Sequence, residues 1–408
     1  MFSTEKAENS EPQNTTLDVT DIADKPIYAA VYDYLQVAAG NHSQSARQPG
    51  LYLVNEDLQK VKRFCRHVNQ LPIKYYEVVS YIGYSEAPVE GLSPGKIVTL
   101  HDSLRQLAEL WASVEKNMLD VAAGLVAFSG ELDPYGRSVI ELIRGMASYK
   151  SHEGRIVDVT SDDLSSLPYT PLQAIDLRAL PSLVEVTQDL VTAVDGHKRK
   201  AQKVKMQIEY FRTELRNART EIARKLELAV TYDGGEQVTT LNEELARHNA
   251  QIEELGKTYR TYTTYAWVGV WWGPVGAAIT ASIYGPQASK VKTEHEKKIE
   301  QKKALEKRVA GINKFMHGLL RLETELQNVQ LLTEEALSGA GNMENIWTVI
   351  GAYITSSVER IRTTQDATTL FLFEARLSHM LAQWVNVEKE AWILMQLLNR
   401  EAENTVSA

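Results

Sequence analysis

LHDSLRQLAELWASVEKNMLDVAAGLVAF, residues 100–128, decides the fold. Leu100, Leu104, Leu107, Trp111, Val114, Met118, Val121, Leu125 and Phe128 alternate spacings of four and three without a miss, which places them on one stripe of a helix. Such a helix faces a bundle or a coiled coil. The pattern recurs at Val204, Ile208, Phe211, Leu215, Ala218, Ile222, Leu226 and Ala229, and again at Leu305, Val309, Ile312, Met316, Leu319, Leu322, Leu326 and Val329. A fourth helix is expected from Met343 to Arg400, a span without proline, with Ile346, Ile350, Tyr353, Leu377, Leu381, Trp384 and Trp392 in the core. At about 1.5 Å per residue, an unbroken helix of that length would measure roughly 85 Å, which suits a rod.

Working outward, breaks are expected at Gly91–Gly95 (GLSPG), at Asp133-Pro134, from Thr160 to Pro171 and at Ser338–Asn342 (SGAGN). Pro72 and Pro181 mark either kinks or boundaries. The segment Arg155–Val159 alone hints at a short strand. Across the chain, 12 prolines and 23 glycines in 408 residues leave room for long regular elements. The fold class expected is all-α, an elongated coiled-coil bundle stalk of about five helices with a small head carrying an apolar helical hairpin.

Composition removes several functions. A net charge of −9 argues against nucleic acid as a partner, because phosphate neutralisation needs a basic face. The basic run His197–Lys205 (HKRKAQKVK) overlaps the stripe that starts at Val204, so it reads as a solvated helix face. A lone cysteine, Cys65, excludes an internal disulfide framework and a cysteine zinc site, and it is expected to be buried and inert. Residues 1–25 lack a positive segment followed by an apolar core, so no Sec-type signal peptide is expected, and they read as a mobile polar tail.

Catalysis finds no support. His101-Asp102 and His152-Glu153 are neighbours in sequence that point away from each other on a helix, and they read as surface residues. Glu294-His295-Glu296 lacks the second histidine of a zinc motif and reads as a solvated face. The chain is read as a non-enzyme with no catalytic residues, no metal site and no cofactor.

One stretch departs from the pattern. Thr261–Ser289 (TYTTYAWVGVWWGPVGAAITASIYGPQAS) contains no charge, in a chain where 24% of residues are charged. Three of the seven tryptophans, Trp267, Trp271 and Trp272, lie in it, with Tyr259, Tyr262, Tyr265 and Tyr284 around them, the enrichment found at membrane–water interfaces. Small residues recur every four positions, at Gly269, Gly273, Ala277, Ala281 and Gly285. A single crossing would place the two flanking charged helices on opposite sides of a bilayer. A hairpin folded at Gly273-Pro274 has arms too short to span. Drawing the flanking charges into the membrane centre would cost roughly 2.5–3.5 kcal/mol each, so the hairpin is expected to dip in without crossing. Its position between two charged arms puts it at the far end of the rod, with a head starting near Tyr232–Val238 (YDGGEQV). The same arms also suit the buried core hairpin of a small cap domain, or a dimer contact.

This ensemble, a polar N-terminus, stalk helices, the head YAWVGVWWGPVGAAITASIYG at Tyr265–Gly285 and a lysine-rich return helix from Lys290, resembles the A component of the binary alpha-xenorhabdolysin family (XaxA/YaxA type) of α-helical pore-forming toxins. The resemblance implies residues 1–25 as tail, 26–230 and 291–402 as stalk, and 231–290 as head with hairpin 261–289. It implies the A component of a binary cytolysin, exported without a Sec-type signal, soluble and then membrane-associated. The partners would be a pore-spanning B component, the target-cell lipid membrane and a hetero-oligomeric ring. Membrane contact would fall to Tyr265, Trp267, Val268, Val270, Trp271, Trp272, Pro274, Val275, Ile279, Ile283 and Tyr284. Gly269, Gly273, Pro274 and Gly276 would form the turn and its close packing, and Arg260, Lys290 and Lys292 would anchor to headgroups. The alternative is a non-toxin scaffold or adaptor whose apolar tip is a protein contact. It accounts for the heptads equally well, but not for an uncharged, tryptophan-rich tip.

Overall fold

The apolar stripes become helices in the computed structural model, which describes residues 55–87, 89–150, 169–232, 236–268, 273–310 and 314–406, with backbone alone at several positions, notably 263–268 and 273–286. The elements are α1 (Asn55–Asn69), α2 (Tyr75–Ile82), a 3-10 turn (Glu90–Leu92), α3 (Pro94–Gly145), α4 (Ala147–Lys150), α5 (Ala174–Tyr232), α6 (Glu236–Val268), α7 (Gly273–Ala310), α8 (Lys314–Thr363) and α9 (Ala367–Val406). The chain is all-α and elongated: the 59 residues of α5 extend over about 90 Å. Among the described residues there is no strand, only an isolated bridge between Pro171 and Asp366.

All nine stripe residues from Leu100 to Phe128 are buried, and they pack α3 against α5 and α9. Trp111 meets Phe211 with ring centroids 5.2 Å apart, and Phe128 meets Trp347 and Trp384 at 5.0 and 5.1 Å. Pairs such as Lys205–Glu344 and Arg212–Glu334 set α5 antiparallel to α8, and Arg144–Glu374 sets α3 antiparallel to α9. Gly136 permits the close approach of α3 and α9, since a Cβ there would lie 2.7 Å from Leu381.

Several expected boundaries move. Gly91–Gly95 does break the chain, with Pro94 opening α3 where its missing N–H costs nothing. Pro72 falls in the loop between α1 and α2, and Pro181 inside α5. Asp133-Pro134 does not interrupt α3, because Leu132 and Gly136 are packed on either side of it. Nor does Ser338–Asn342 interrupt α8: its small residues lie in the seam of the bundle, with Ala340 fully buried. The expected helix from Met343 to Arg400 is two helices, because Asp366 caps a new start. Its carboxylate accepts from the Thr368 N–H at 3.0 Å and from the Thr170 N–H at 2.9 Å, while its own N–H donates to Thr364 Oγ1. The third stripe is also divided, with Leu305 and Val309 on α7 and Met316 to Val329 on α8. Trp392 is 47% exposed instead of buried. It stands eight residues past Trp384, about 80° around the helix, whereas Met395 returns to the core side.

Residues 1–25, His152-Glu153, Arg155–Val159 and Ile312 lie outside the described residues. Cys65 is half-buried, and burial pushes its thiol up to about 12, which leaves it inert.

Candidate functional site

The uncharged segment belongs to the hairpin α6–α7, two arms packed on each other as Arg308–Glu244 requires of antiparallel helices. Helix α7 starts at Gly273, so Pro274 falls in its first turn, a position compatible with proline. Gly269, Val270, Trp271 and Trp272 lie outside the described residues. For Tyr265, Trp267, Val268, Gly273, Pro274, Val275, Gly276, Ile279, Ile283 and Tyr284 the description is of helical backbone only.

The hairpin does not extend the rod. Pairing of Asn249 with Glu323 and of Arg260 with Glu334 runs α6 parallel to α8, and pairing of Lys302 with Glu323 and of Lys292 with Glu335 runs α7 antiparallel to it, so both arms lie alongside the bundle. Three groups of contacts place them. Asn249 of α6 donates to Glu323 of α8 at 2.9 Å and accepts from Gln327 at 3.0 Å, while Lys302 of α7 pairs with the same Glu323 at 2.9 Å. Arg260 of α6 pairs with Glu334 of α8 at 3.1 Å, a carboxylate also reached by Arg212 and Arg216 of α5. Lys292 of α7 bridges Asp57 of α1 at 2.7 Å and Glu335 of α8 at 2.9 Å, and the Tyr259 hydroxyl donates to Glu335 as well. The charged flanks, which were expected to limit membrane insertion, find complementary charge along α1, α5 and α8.

This seam is polar. Near its base the hairpin joins the main core through Leu245, Leu305 and Val309. Farther along, among the described residues, Ile252 and Ile299 are buried and a separate apolar cluster joins Tyr259, Ala288, Val291 and Leu331. Lys302 is fully buried, and its desolvation pushes the ammonium pKa down against the pull of Glu323. Burial works the same way on Lys292, but Glu335 and Asp57 prevail and its pKa is raised. His295 is buried on α7, not solvated as the sequence suggested, and burial pushes it down to about 4. Ion pairs of this kind offset their own desolvation when intact and cost much when one partner is removed.

Of the three expected headgroup anchors, Lys290 is exposed, whereas Arg260 and Lys292 are occupied by carboxylates of the bundle. His101 is also buried, with Nδ1 hydrogen-bonded to the Pro72 carbonyl at 2.6 Å, so the surface reading of that residue was wrong. In the basic run, His197 is buried and stacked on Trp347 at 4.9 Å, while Arg199, Lys200 and Lys203 are exposed as expected of a solvated face.

Sequence reasoning missed the seam itself. Its signal was on α8, where Glu323, Gln327, Glu334 and Glu335 interleave with Leu319, Leu320, Leu322, Leu326, Leu331 and Leu332. Those leucines cover more than one stripe, as in a helix covered on several sides. It also missed Tyr75, Tyr76 and Tyr81 of α2, which are exposed beside Lys74. Among the described residues no helix is long and apolar enough to cross a membrane, and no group of side chains is arranged to hold a metal.

No family model matches the chain, and no curated protein does. Solved structures do. YaxA from Yersinia enterocolitica is similar at 20% identity and a TM-score of 0.43, over 87% of this chain and 99% of its own. XaxA from Xenorhabdus nematophila is similar at 19% identity and 0.47, and the YaxAB pore complex at 20% and 0.47, each over the same shares. At these identities and scores the likeness carries no assignment of function.

Proposed function

We propose that the chain is the A component of a binary α-pore-forming cytolysin. The chain is released in soluble form with α6–α7 held on the bundle. At a target-cell membrane the hairpin swings out, and its Trp-rich turn enters the interface without crossing. The seated protein then supports insertion of a pore-spanning B partner within a hetero-oligomeric ring. In this reading 231–290 act as the head and 26–230 with 291–402 as the stalk.

The observation that supports the reading is that the uncharged, tryptophan-rich segment 261–289 belongs to arms whose described contacts with the bundle are largely ion pairs. An apolar seam would hold the hairpin by the same term that holds the core. A seam of charges has a competitor at a membrane, where headgroups and water can solvate Lys292 and Arg260 while the tryptophans leave water. Burial of one tryptophan side chain contributes a few kcal/mol at about 25 cal/mol per Å², so a cluster of three can outweigh ordering costs.

Liposome flotation tests it. The full chain is expected to float, alone or with a candidate B component, and a chain lacking residues 266–284 is expected not to. Equal flotation of both, or none by either in the presence of B, would favour a scaffold whose turn contacts protein.

A further inference from the structure

Helices α5, α6, α7 and α8 line an open cleft of about 570 Å³ between the docked hairpin and the bundle. Four cationic side chains line it, Arg216 and Arg219 from α5 and Lys257 and Arg260 from α6, against two carboxylates, Glu253 and Glu334. Both carboxylates are in ion pairs, Glu334 with Arg212, Arg216 and Arg260, although its buried Oε1 makes no hydrogen bond, and Glu253 with Lys257.

Arg219 stands apart from this pairing. No carboxylate is within ion-pair distance of it among the described residues. One guanidinium nitrogen donates to the neutral Gln330 carboxamide, and its Nε is buried without an acceptor. Beside it in the cleft wall is His295 of α7, 2% exposed, with an Nδ1 that has no hydrogen-bond partner. A buried nitrogen left unpaired costs on the order of 1–3 kcal/mol, and two on one cleft indicate that something else completes them. A ligand with oxygen acceptors and negative charge would complete the Arg219 donor and match the surplus of cationic side chains in the wall. Guanidinium forks suit the oxygens of a phosphate group, and an imidazole with its proton on Nδ1 adds another donor.

We propose that this cleft is a binding site for a phosphate-bearing ligand, with Arg219 and His295 as its inner donors and Arg216, Lys257 and Arg260 at the rim. Arg216 and Arg219 belong to the bundle, whereas Lys257, Arg260 and His295 belong to the hairpin. A bound phosphate therefore bridges the two and staples the hairpin in its docked position. The site stands on the docked conformation alone and does not depend on the toxin reading. The phosphate could be free in solution or part of a lipid headgroup.

Titration calorimetry of the full chain with inorganic pyrophosphate, at ionic strength held constant with sodium chloride, tests the site. One molecule per chain is expected to bind, Arg219→Gln to weaken it tenfold or more, and the exposed Arg137→Gln to leave it unchanged. Pyrophosphate should also raise the melting temperature of the wild type and not of Arg219→Gln. Should Arg219→Gln lose helical content, Arg216→Gln is the second variant, with a smaller loss expected. A parallel arm uses phosphatidylcholine vesicles containing phosphatidic acid. Binding of these vesicles that depends on Arg219, with no response to pyrophosphate, supports the site and identifies the lipid phosphate as its source. Binding of either probe that is equal in wild type, Arg219→Gln and Arg216→Gln, or no binding of either, overturns the proposal.

Discussion

The core where α3, α5, α8 and α9 meet and the seam that holds α6–α7 to the bundle are built from opposite materials. In the core, Phe128, His197, Trp347 and Trp384 pack as a single aromatic cluster, with centroids 4.9 to 5.9 Å apart. Among the described residues of the seam, Lys302–Glu323, Lys292–Asp57 and Arg260–Glu334 tie the arm to the bundle, beside the apolar cluster of Tyr259, Ala288, Val291 and Leu331. Apolar packing is cooperative and has no exchangeable partner. Ion pairs can be traded for water, headgroups or another protein. One molecule thus holds a rod built on apolar packing and an arm tied to it, among the described residues, largely by charge.

The largest effect should come from the core. Trp384→Ala is expected to cost about 3–5 kcal/mol of global stability, measured by denaturant unfolding. Loss of hairpin protection alone in that variant would mean the core is not the common support.

Breaking the seam should act locally. Lys302→Met leaves the buried Glu323 without its cation and is expected to cost about 3 kcal/mol. Hydrogen exchange should show the loss in α6 and α7 while α3 and α5 keep their protection. Pairing Lys302→Met with Glu323→Leu should restore the protection and lock the arm. A double variant as exposed as the single one would show that charge is not what holds the seam.

Acid should separate the two regions by degree. His197 in the core and His295 in the seam are both pushed by burial from 6.5 to about 4. Between those values the unfolded chain binds protons that the folded chain excludes, so stability falls as pH drops from about 6.5 towards 4. The loss is on the order of 1–3 kcal/mol per histidine. For His295, Arg219 and Lys292 oppose the added proton and Glu296 favours it. Exchange measured at pH 7 and pH 5 should show α7 loosening before α3. Simultaneous loosening would make the two regions one unit. The smallest effect is expected at Trp392→Ala, under about 1 kcal/mol, because that side chain is half in water.

The core was legible because a stripe such as Leu100–Phe128 is a property of one helix, and nothing remote is needed to read it. Chain reversals were harder. The reversal after Ala310 hides within a continuous stripe, since α7 and α8 bury that stripe in the same core. The end of α8 was signalled by Thr364 and Asp366, a capping pair that a search for proline and glycine overlooks. Pro134 misled in the other direction, because its neighbours are packed firmly enough to carry a helix across it. At the candidate site, the absence of charge from 261 to 289 could be read directly. The seam could not, since a pair such as Lys292–Asp57 joins residues far apart in the chain, and no local pattern relates them.

The most direct test is a distance measurement across the seam by pulsed electron resonance, with spin labels at Lys290→Cys on α7 and Glu56→Cys on α1 in a Cys65→Ser background. A single short distance is expected in solution, and a population tens of ångströms longer is expected once liposomes and a B component are added. A short distance that persists on chains shown to be membrane-bound would contradict the account, because the hairpin would then act without leaving the bundle.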